Sequence, residues 1–381
     1  MTITLEPQTI PVSTDWSAVA DEIGAVLART AARYDRMGDI NAAAFAKLRE
    51  SGLTSAIVPV EFGGGGASHA ELGAALRTLA RHDPSTAVTL AMHTHVVATQ
   101  VWRHNHGMDA EKILRKVVDE RAILVTSGAS DWTGSSGEAT RVDGGYRVSA
   151  RKTPVSGCEV GDVLVTSIRW SGGPDGAQVL HCSVPMRAEG VSIDRTWDTV
   201  GLRATGSHTV VLDNVFVPDA AVSLQRPADQ WHPIWNIVLG AAMPLIMAAY
   251  LGIADAAVDA ARVLVGARHD AVTFQGLGEM LNAHTTADDV VAMMFVDSDN
   301  LQYAATDEHA SRTLIRKTVA AGAIIGAVRL AAEVAGGAAF SRGCDLERLE
   351  RDVHGCNLHP LPRAKQTQFT GRVALGLSPV A

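Results

Sequence analysis

The sequence predicts an α+β protein of three domains, in which a β-rich middle part separates two helical parts. Apolar residues recur at three- and four-residue spacing over residues 15–121 and again from residue 224 to the end, as on amphipathic helices. Between them, residues 122–223 form short β-rich runs broken by turn residues. A chain of 381 residues, 47% of them hydrophobic, is large and apolar enough to bury a core in each part.

The predicted N-terminal helical domain, residues 15–121, contains one clear break. In the connection 52–68, Pro59 and the glycine run Gly63–Gly66 must end any helix. The run lacks the Lys-Ser/Thr ending of a phosphate-binding loop, so we predict a turn there. Residues 1–14 are polar and lack the basic and apolar regions of a signal peptide, so we expect a loose leader.

The predicted middle domain, residues 122–223, contains five runs rich in β-branched residues. The segments Asp143–Gly145 and Ser171–Pro174 are typical of hairpin turns. Short strands at this spacing predict a small β-barrel or sandwich. The five runs are Ile123–Thr126, Tyr146–Ser149, Val163–Ile168, Val179–Val184 and Thr209–Phe216.

The predicted C-terminal domain, residues 224–381, is alanine-rich and helical, with a last helix after Pro362. Its residues 237–254 are uncharged and almost long enough to cross a bilayer. Gly240, Pro244 and Gly252 interrupt this run, and no basic cluster flanks it. We therefore predict a helix in the middle of a bundle or at a subunit interface, and no membrane span.

Composition argues against several classes of function. A formal net charge of −8 opposes binding to nucleic acid, whose partners usually carry a concentrated basic face. Cys158, Cys182, Cys344 and Cys356 are scattered without a C-x-x-C pair, which fits neither a zinc cluster nor a secreted disulfide framework. We therefore expect no metal site and a reducing, cytoplasmic location.

Five segments carry a family pattern: GLTSAIVPVEFGGGGAS at 52–68, ILVTS at 123–127, VDGGYRVSARKTPVSG at 142–157, TWDTVGLRATGSHTVVLDNVFVP at 196–218 and GGAAFSRGCDLERLERD at 336–352. In this order, over nearly the whole chain, they resemble the acyl-CoA dehydrogenase superfamily. The resemblance implies an N-terminal helical domain, a central β-domain and a C-terminal four-helix bundle, assembled as a homotetramer. It also implies a flavin cofactor, FAD or FMN.

The resemblance places the flavin ring against the β-domain. Val125, Thr126, Val155 and Ser156 are expected to border the ring, with the Ser156 hydroxyl near flavin N5. An isoalloxazine needs a flat apolar slot with a few fixed hydrogen-bonding groups. Without the resemblance, Ser156 is an ordinary turn serine ahead of Gly157, and that alternative stays open.

The base of the dehydrogenases is missing from this sequence. In those enzymes a glutamate removes the α-proton of the thioester. By the resemblance, the two usual positions of that glutamate fall on Pro360 and, roughly, on Ala242. Neither residue can take up a proton, so an ordinary dehydrogenase mechanism is not expected.

The C-terminal segment RDVHGCNLHPLPRAKQTQFTGRVALG, at 351–376, instead resembles the monooxygenase branch of the superfamily. That branch includes dibenzothiophene monooxygenase and the hydroxyphenylacetate-type and steroid-ring hydroxylases, in which a separate reductase supplies reduced flavin. His359 stands where a histidine of that branch helps to manage the adduct of flavin with oxygen, and an imidazole pKa near 7 would suit that task. The alternative is a polar residue at the mouth of a proline-bounded loop.

His93 and His95 lie in LAMHTHVVATQVW, an otherwise apolar helical segment. Residues two apart on a helix face different ways, so the two imidazoles are not expected to form a metal pair. The resemblance places His93 beside the substrate space above the flavin. The alternative for His93 is a hydrogen-bonded histidine of the core.

The resemblance also names candidates for the distal half of the cofactor. Dehydrogenases of the family carry an Arg-x-x-Phe-Gly motif that reaches the pyrophosphate of a neighbouring subunit's FAD, and here residues 268–276 read RHDAVTFQG. Arg268 is the candidate for that contact, but the changed motif leaves FAD and FMN both open. Gly336 and Gly337 are expected to let a neighbouring backbone approach closely at this cofactor site.

Three functions remain as hypotheses. The first is a monooxygenase-like enzyme that uses reduced flavin and oxygen on a small apolar or aromatic substrate and depends on a separate reductase. The second is an acyl-CoA or acyl-carrier-protein dehydrogenase with a non-standard base. The third is a catalytically inactive member of the family that binds acyl groups.

Overall fold

The computed structural model describes residues 14–173 and 176–380. Except for Thr14, the predicted leader lies outside the described residues, as does Pro174 at the end of a predicted turn. The predicted order of helical, β and helical parts is confirmed, as is the fold class. The first part contains α1 Trp16–Met37, α2 Ala42–Glu50, α3 His69–His82, α4 Pro84–Asn105 and α5 Glu111–Asp119.

The glycine run between α2 and α3 forms the predicted turn. Gly63 and Gly66 have φ angles of +83° and +65°, which side chains other than glycine rarely adopt. A Cβ on Gly64 would lie 2.2 Å from the carbonyl oxygen of Val58. The run therefore folds back tightly on the preceding segment because only glycine fits there.

Helix α4 forms one wall of the site described below, and its start is fixed by the sequence Asp83-Pro84. The Asp83 carboxylate accepts a hydrogen bond of 3.2 Å from the backbone N–H of Thr86, and Pro84 occupies the first turn, where no N–H is needed. The helix is buried along most of its length, between α3, α6 and the first strand. This accounts for its lack of a polar face.

The middle part is a sandwich of two four-stranded sheets, with strand orders β1-β4-β5-β8 and β2-β3-β7-β6. Strands β1 and β4 pair in parallel, and the other pairs are antiparallel. Strand β8 crosses the predicted boundary at 223/224 and pairs with β5. The strands are β1 Leu124–Thr126, β2 Glu138–Val142, β3 Gly145–Val155, β4 Val163–Trp170, β5 Gln178–Pro185, β6 Val191–Asp194, β7 His208–Pro218 and β8 Val222–Pro227.

The last part consists of three long helices and two short ones. Helix α6 packs against both α8 and α7 and also against α3 and α4 of the first part, while α9 and α10 pack on α8. The apolar surface of α6 is therefore covered on nearly every side. The helices are α6 Ile234–Val265, α7 Ala271–Ser298, α8 Asp307–Ala335, α9 Asp345–Val353 and α10 Arg363–Ala374.

Two helical stretches of the described residues are long and apolar enough to cross a membrane, Ile234–Val265 and Asp307–Phe340. In the first, 94% of the most apolar window is buried inside the protein, as expected of the predicted core helix. In the second, only 44% is buried. The second stretch therefore leaves an apolar surface that the other described residues do not cover.

Candidate active site

A cavity of about 610 Å³ lies where the three parts of the chain meet. Its walls come from α4, from the β-domain, from α6 and from the loop between α9 and α10. Along α4 the lining residues recur every three or four positions, so they share one face of the helix. These lining residues of α4 are Val88, Met92, His95, Val96, Thr99, Gln100 and Arg103.

The β-domain supplies the residues predicted to border a flavin ring. Thr126, at the end of β1, and Ser156, just after β3, both line the cavity. Val125 and Val155 are buried behind them, 2% and 0% exposed. The structure therefore brings these four residues together as a surface with an apolar backing and two hydroxyl groups.

Ser156 begins a chain of hydroxyl groups whose direction the structure determines. The Thr205 hydroxyl donates to the carbonyl oxygen of Leu202 at 2.9 Å, which occupies its single proton. Ser207, 2.7 Å from Thr205, must then donate to it, and Ser156, 2.8 Å from Ser207, must donate in turn. The Ser156 oxygen is thereby left to accept a hydrogen bond from the cavity.

His359 also lines the cavity, with its ring edge-to-face against Tyr250 at 5.4 Å between centroids. Burial lowers the pKa of His359 to about 3, and the nearby Lys317 and His95 contribute. The imidazole is therefore neutral near pH 7. As a neutral ring it can accept a proton at one nitrogen and donate at the other.

Lys317 lies behind His359 and is 1% exposed. Its ammonium group donates to the carbonyl oxygen of Leu361 at 3.3 Å, and no carboxylate within the described ranges pairs with it. Burial lowers the pKa of this lysine. Its residual charge disfavours a second positive charge on His359, which helps to keep that imidazole neutral.

The structure separates the two histidines of α4. The Nε2–H of His93 donates to the carbonyl oxygen of Thr54 at 2.8 Å, and its Nδ1 accepts from the backbone N–H of Leu124 at 2.9 Å. His93 is 1% exposed and does not line the cavity, so it occupies the place that the core alternative describes. His95 lines the cavity instead, and burial lowers its pKa to about 4.

Asp131 is the one carboxylate among the described residues that line the cavity, and it is fully occupied. It accepts hydrogen bonds of 2.8 to 2.9 Å from the Ser127 hydroxyl, from the Ser136 N–H and hydroxyl and from the Lys152 ammonium. Lys152 is 0% exposed, and its burial lowers its pKa despite the adjacent Asp131. The pair supports the cavity wall, and no other carboxylate among the described lining residues is available as a base.

The sequence interpretation missed Asp131, Lys152 and Tyr250. Side chains of strand β3 alternate between buried and exposed, and Lys152 occupies one of the buried positions. A charged residue at such a position could have indicated a buried ion pair from the sequence. Tyr250 is a polar residue in the uncharged run 237–254. The Tyr250 hydroxyl is buried beside Gly355, away from solvent, and has no hydrogen-bond partner among the described residues.

Three predicted cofactor residues lie outside the cavity. The Arg268 guanidinium donates to the carbonyl oxygens of Val334 and Ala335, at 2.8 and 3.4 Å, and so satisfies the end of α8. Gly336 follows at φ +75°, beside Arg268, and Gly337 has open space around its Cα. Their predicted role at a neighbouring subunit's cofactor stays a prediction.

The residues around the cavity fit a flavin. The cavity combines apolar walls with hydroxyl groups at Thr126 and Ser156, and one of these hydroxyls is oriented as an acceptor. The indoles of Trp132 and Trp235, stacked on each other with 5.0 Å between ring centroids, also line the cavity. Within residues 14–173 and 176–380, no three His, Cys, Asp or Glu side chains cluster as metal ligands.

Comparisons with known proteins agree with this geometry. Residues 17–121 match the acyl-CoA dehydrogenase N-terminal domain. The putative acyl-CoA dehydrogenase YdbM of Bacillus subtilis (strain 168) is 30% identical over 64% of each chain. The flavin-dependent monooxygenase oxygenase subunit HsaA of Rhodococcus jostii (strain RHA1) is 30% identical over 57% of this chain and 63% of its own length. The chain thus spans slightly less than two thirds of these two relatives.

Among solved structures, KijD3 in complex with FMN and dTDP-3-amino-2,3,6-trideoxy-4-keto-3-methyl-D-glucose superimposes with a TM-score of 0.84. It is 26% identical, and the match covers 97% of this chain and 96% of that one. The fold, the matching N-terminal domain and the named relatives agree with the segments that carry the family pattern. Residues 17–121 thus match the acyl-CoA dehydrogenase N-terminal domain, and acyl-CoA dehydrogenase-like proteins and flavin-dependent monooxygenases are among the relatives of the chain.

Proposed function

We propose that this protein is a flavin-dependent monooxygenase that receives reduced flavin from a separate reductase and oxidises a small apolar or aromatic substrate. One observation carries the proposal: the cavity contains neutral imidazoles and hydroxyls, but the single carboxylate among its described lining residues, Asp131, is already bound by four donors. Ala242 and Pro360, at the two usual positions of the dehydrogenase base, both line the cavity. A thioester α-proton would therefore meet no free carboxylate.

FMN is the proposed cofactor. KijD3 is described in complex with FMN, and Arg268, the candidate for an FAD pyrophosphate, already donates to two backbone carbonyls. Thr126 and Ser156 would hold the ring, with Val125 and Val155 behind it. Because the Ser156 oxygen is oriented as an acceptor, it suits the N5–H that a flavin carries only when reduced.

Bound reduced flavin supplies two electrons to molecular oxygen, so that one oxygen atom enters the substrate and the other leaves as water. The chain's own task is to exclude bulk water and to move protons at defined atoms. His359, with both ring nitrogens free of hydrogen bonds within the described part of the chain, is the proposed proton carrier. His95 offers a second neutral imidazole, from α4.

A homotetramer in the cytoplasm completes the proposal. Several large apolar side chains on α7 and α8 are exposed, which marks a surface that a second subunit would cover. The described cysteines are all free thiols, as a reducing compartment would maintain them. The exposed side chains are Val272, Phe274, Met293, Val296, Ile315 and Val319.

The proposal is tested with purified protein, first by titrating FMN and FAD and recording the absorbance of the bound flavin. Oxygen uptake is then measured with FMN that a flavin reductase keeps reduced. Flavin binding with oxygen-dependent turnover of an aromatic substrate supports a monooxygenase. Anaerobic bleaching of bound flavin by a saturated acyl-CoA, with formation of the enoyl product, would show a dehydrogenase. Absence of flavin binding would favour the inactive acyl-binding alternative.

A further inference from the structure

Arg103 is a cationic side chain of the cavity wall, and no opposite charge in the described part of the chain pairs with it. It lines the cavity near the end of α4. No carboxylate of the described residues pairs with its guanidinium, and its Nε is buried without a hydrogen-bond partner. The Nε–H of this half-buried guanidinium is costly to leave without an acceptor, because water cannot reach it.

Arg103 lies at the opposite end of the cavity from Ser156. Val88 and Arg103 both line the cavity and are about 22 Å apart along the axis of α4. Gly157, next to Ser156, is close to Thr89 at the start of α4, since a Cβ there would lie 2.8 Å from the Thr89 methyl group. The guanidinium is therefore too far from the proposed flavin N5 site to act on the ring.

The surroundings of Arg103 define what it would bind. Trp102, its neighbour in sequence, donates to the carbonyl oxygen of Tyr303 at 3.0 Å, and the Tyr303 hydroxyl donates to the carbonyl oxygen of Ile237. These bonds hold the end of α4 beside the first turns of α6, where Trp235 lines the cavity. The guanidinium thus lies at the end of the cavity that Trp235 lines.

The other polar groups of the cavity do not cancel this charge. Gln100, one turn before Arg103, and Lys365, on α10, also line the cavity, and neither side chain makes a hydrogen bond within residues 14–173 and 176–380. The Asp131 carboxylate is neutralised by Lys152 at 2.9 Å. The cavity therefore carries a net positive charge with unused donors.

We propose that Arg103 binds an oxyanion group of the substrate, such as a carboxylate, sulfinate or phosphate, while the apolar body of the substrate lies against the indoles of Trp132 and Trp235. The guanidinium is planar and presents paired donors that match two oxygens of one anion. Gln100 supplies a further amide donor one turn away. This assignment rests on the proposed function, which it narrows to acidic aromatic or apolar substrates.

The test compares charged probes with neutral probes of nearly the same shape. Binding of benzoate against benzamide, and of indole-3-acetate against indole-3-acetamide, is followed by tryptophan fluorescence and by calorimetry, without flavin and again with FMN. We expect wild type to bind each carboxylate about 10-fold or more tightly than its amide, as charge-assisted hydrogen bonds permit. Arg103→Gln should remove that preference, and Arg103→Lys should retain part of it as a point charge.

Arg29→Gln is the matched control, because Arg29 is an exposed arginine of α1 that is not a lining residue of the cavity. It should keep the full preference for carboxylates. Equal affinities for acid and amide in wild type, or a preference that survives in Arg103→Gln, would overturn the assignment. So would an Arg103→Gln variant that loses affinity for FMN and not for riboflavin, since Arg103 would then bind the flavin phosphate. Wild-type protein that binds neither flavin but prefers the acids would contradict the proposed function alone.

Discussion

His93 should make the folded protein sensitive to acid, and replacement of this one residue should reduce that sensitivity. The imidazole is 1% exposed and joins two parts of the chain, since it donates to Thr54 and accepts from the backbone N–H of Leu124. Protonation of Nδ1 would remove the acceptor that Leu124 uses. The folded state must therefore exclude the second proton, which the unfolded chain takes up freely.

The magnitude follows from the displaced pKa. Burial, the first cause, lowers the pKa of His93 from 6.5 to about 4. Because the pKa of His93 is lower in the folded protein than in the unfolded chain, the contribution of neutral His93 to the free energy of unfolding is fully present above pH 6.5. This contribution is lost as the pH falls from 6.5 towards 4. At about 1.4 kcal/mol per pH unit, His93 alone accounts for a loss of about 3 kcal/mol over that window.

The assay is urea denaturation between pH 4 and pH 8, which gives the free energy of unfolding at each pH. His93→Gln should be less stable than wild type at pH 8 by about 1 kcal/mol, since glutamine can keep only one of the two hydrogen bonds. Between pH 6.5 and pH 4, the number of protons that the variant takes up on unfolding should be lower than in wild type by close to one. His269→Gln, at an exposed position with no ion pair to the described residues, is the control and should leave the dependence on pH unchanged. A His93→Gln variant with the acid sensitivity of wild type would refute the reasoning.

Three further predictions concern the cavity. His359→Ala should lower product formation by about two to four powers of ten, divert oxygen to hydrogen peroxide and preserve the affinity for FMN. The rate of the wild-type enzyme should show no step near pH 6.5, because the pKa of His359 is about 3. Ser207→Ala should lower kcat more than it raises KM, since Ser156 loses its fixed orientation, and Ser207→Thr should restore the rate; equal kinetics in Ser207→Ala and wild type would contradict this. Asp131→Asn should cost about 3 to 5 kcal/mol in the free energy of unfolding by leaving the buried Lys152 charge unpaired, and an additional Lys152→Met change should recover part of that loss.

Much of the fold could be predicted because its signals are local. The apolar run 237–254 has no charged residue, and it became the buried core of α6. The glycine run at 63–66 ends any helix and supplies the positive φ angles of Gly63 and Gly66 that the turn requires. Strands β2 and β6, by contrast, have mostly exposed side chains, so they lack the apolar runs on which the prediction relied.

The site was predicted less completely, since it depends on how one helix is rotated. His93 and His95 are both plausible in the sequence, and two residues apart they must face different ways. The bonds of His93 to Thr54 and Leu124 come from distant segments, and these bonds turn His95 towards the cavity. Lys152 was missed for a related reason: its partner Asp131 is 21 residues away, and only the folded sandwich brings them together.

The position of His93 has a consequence for engineering. Its imidazole connects the loop at Thr54, helix α4 and strand β1, and α4 carries the proposed substrate wall while β1 carries the proposed flavin wall. A chimera that takes α4 from a relative to change its specificity would shift one wall relative to the other unless this three-way connection is transplanted intact. Libraries for new substrates should therefore hold Thr54, His93 and Leu124 constant and vary the α4 positions that face the cavity.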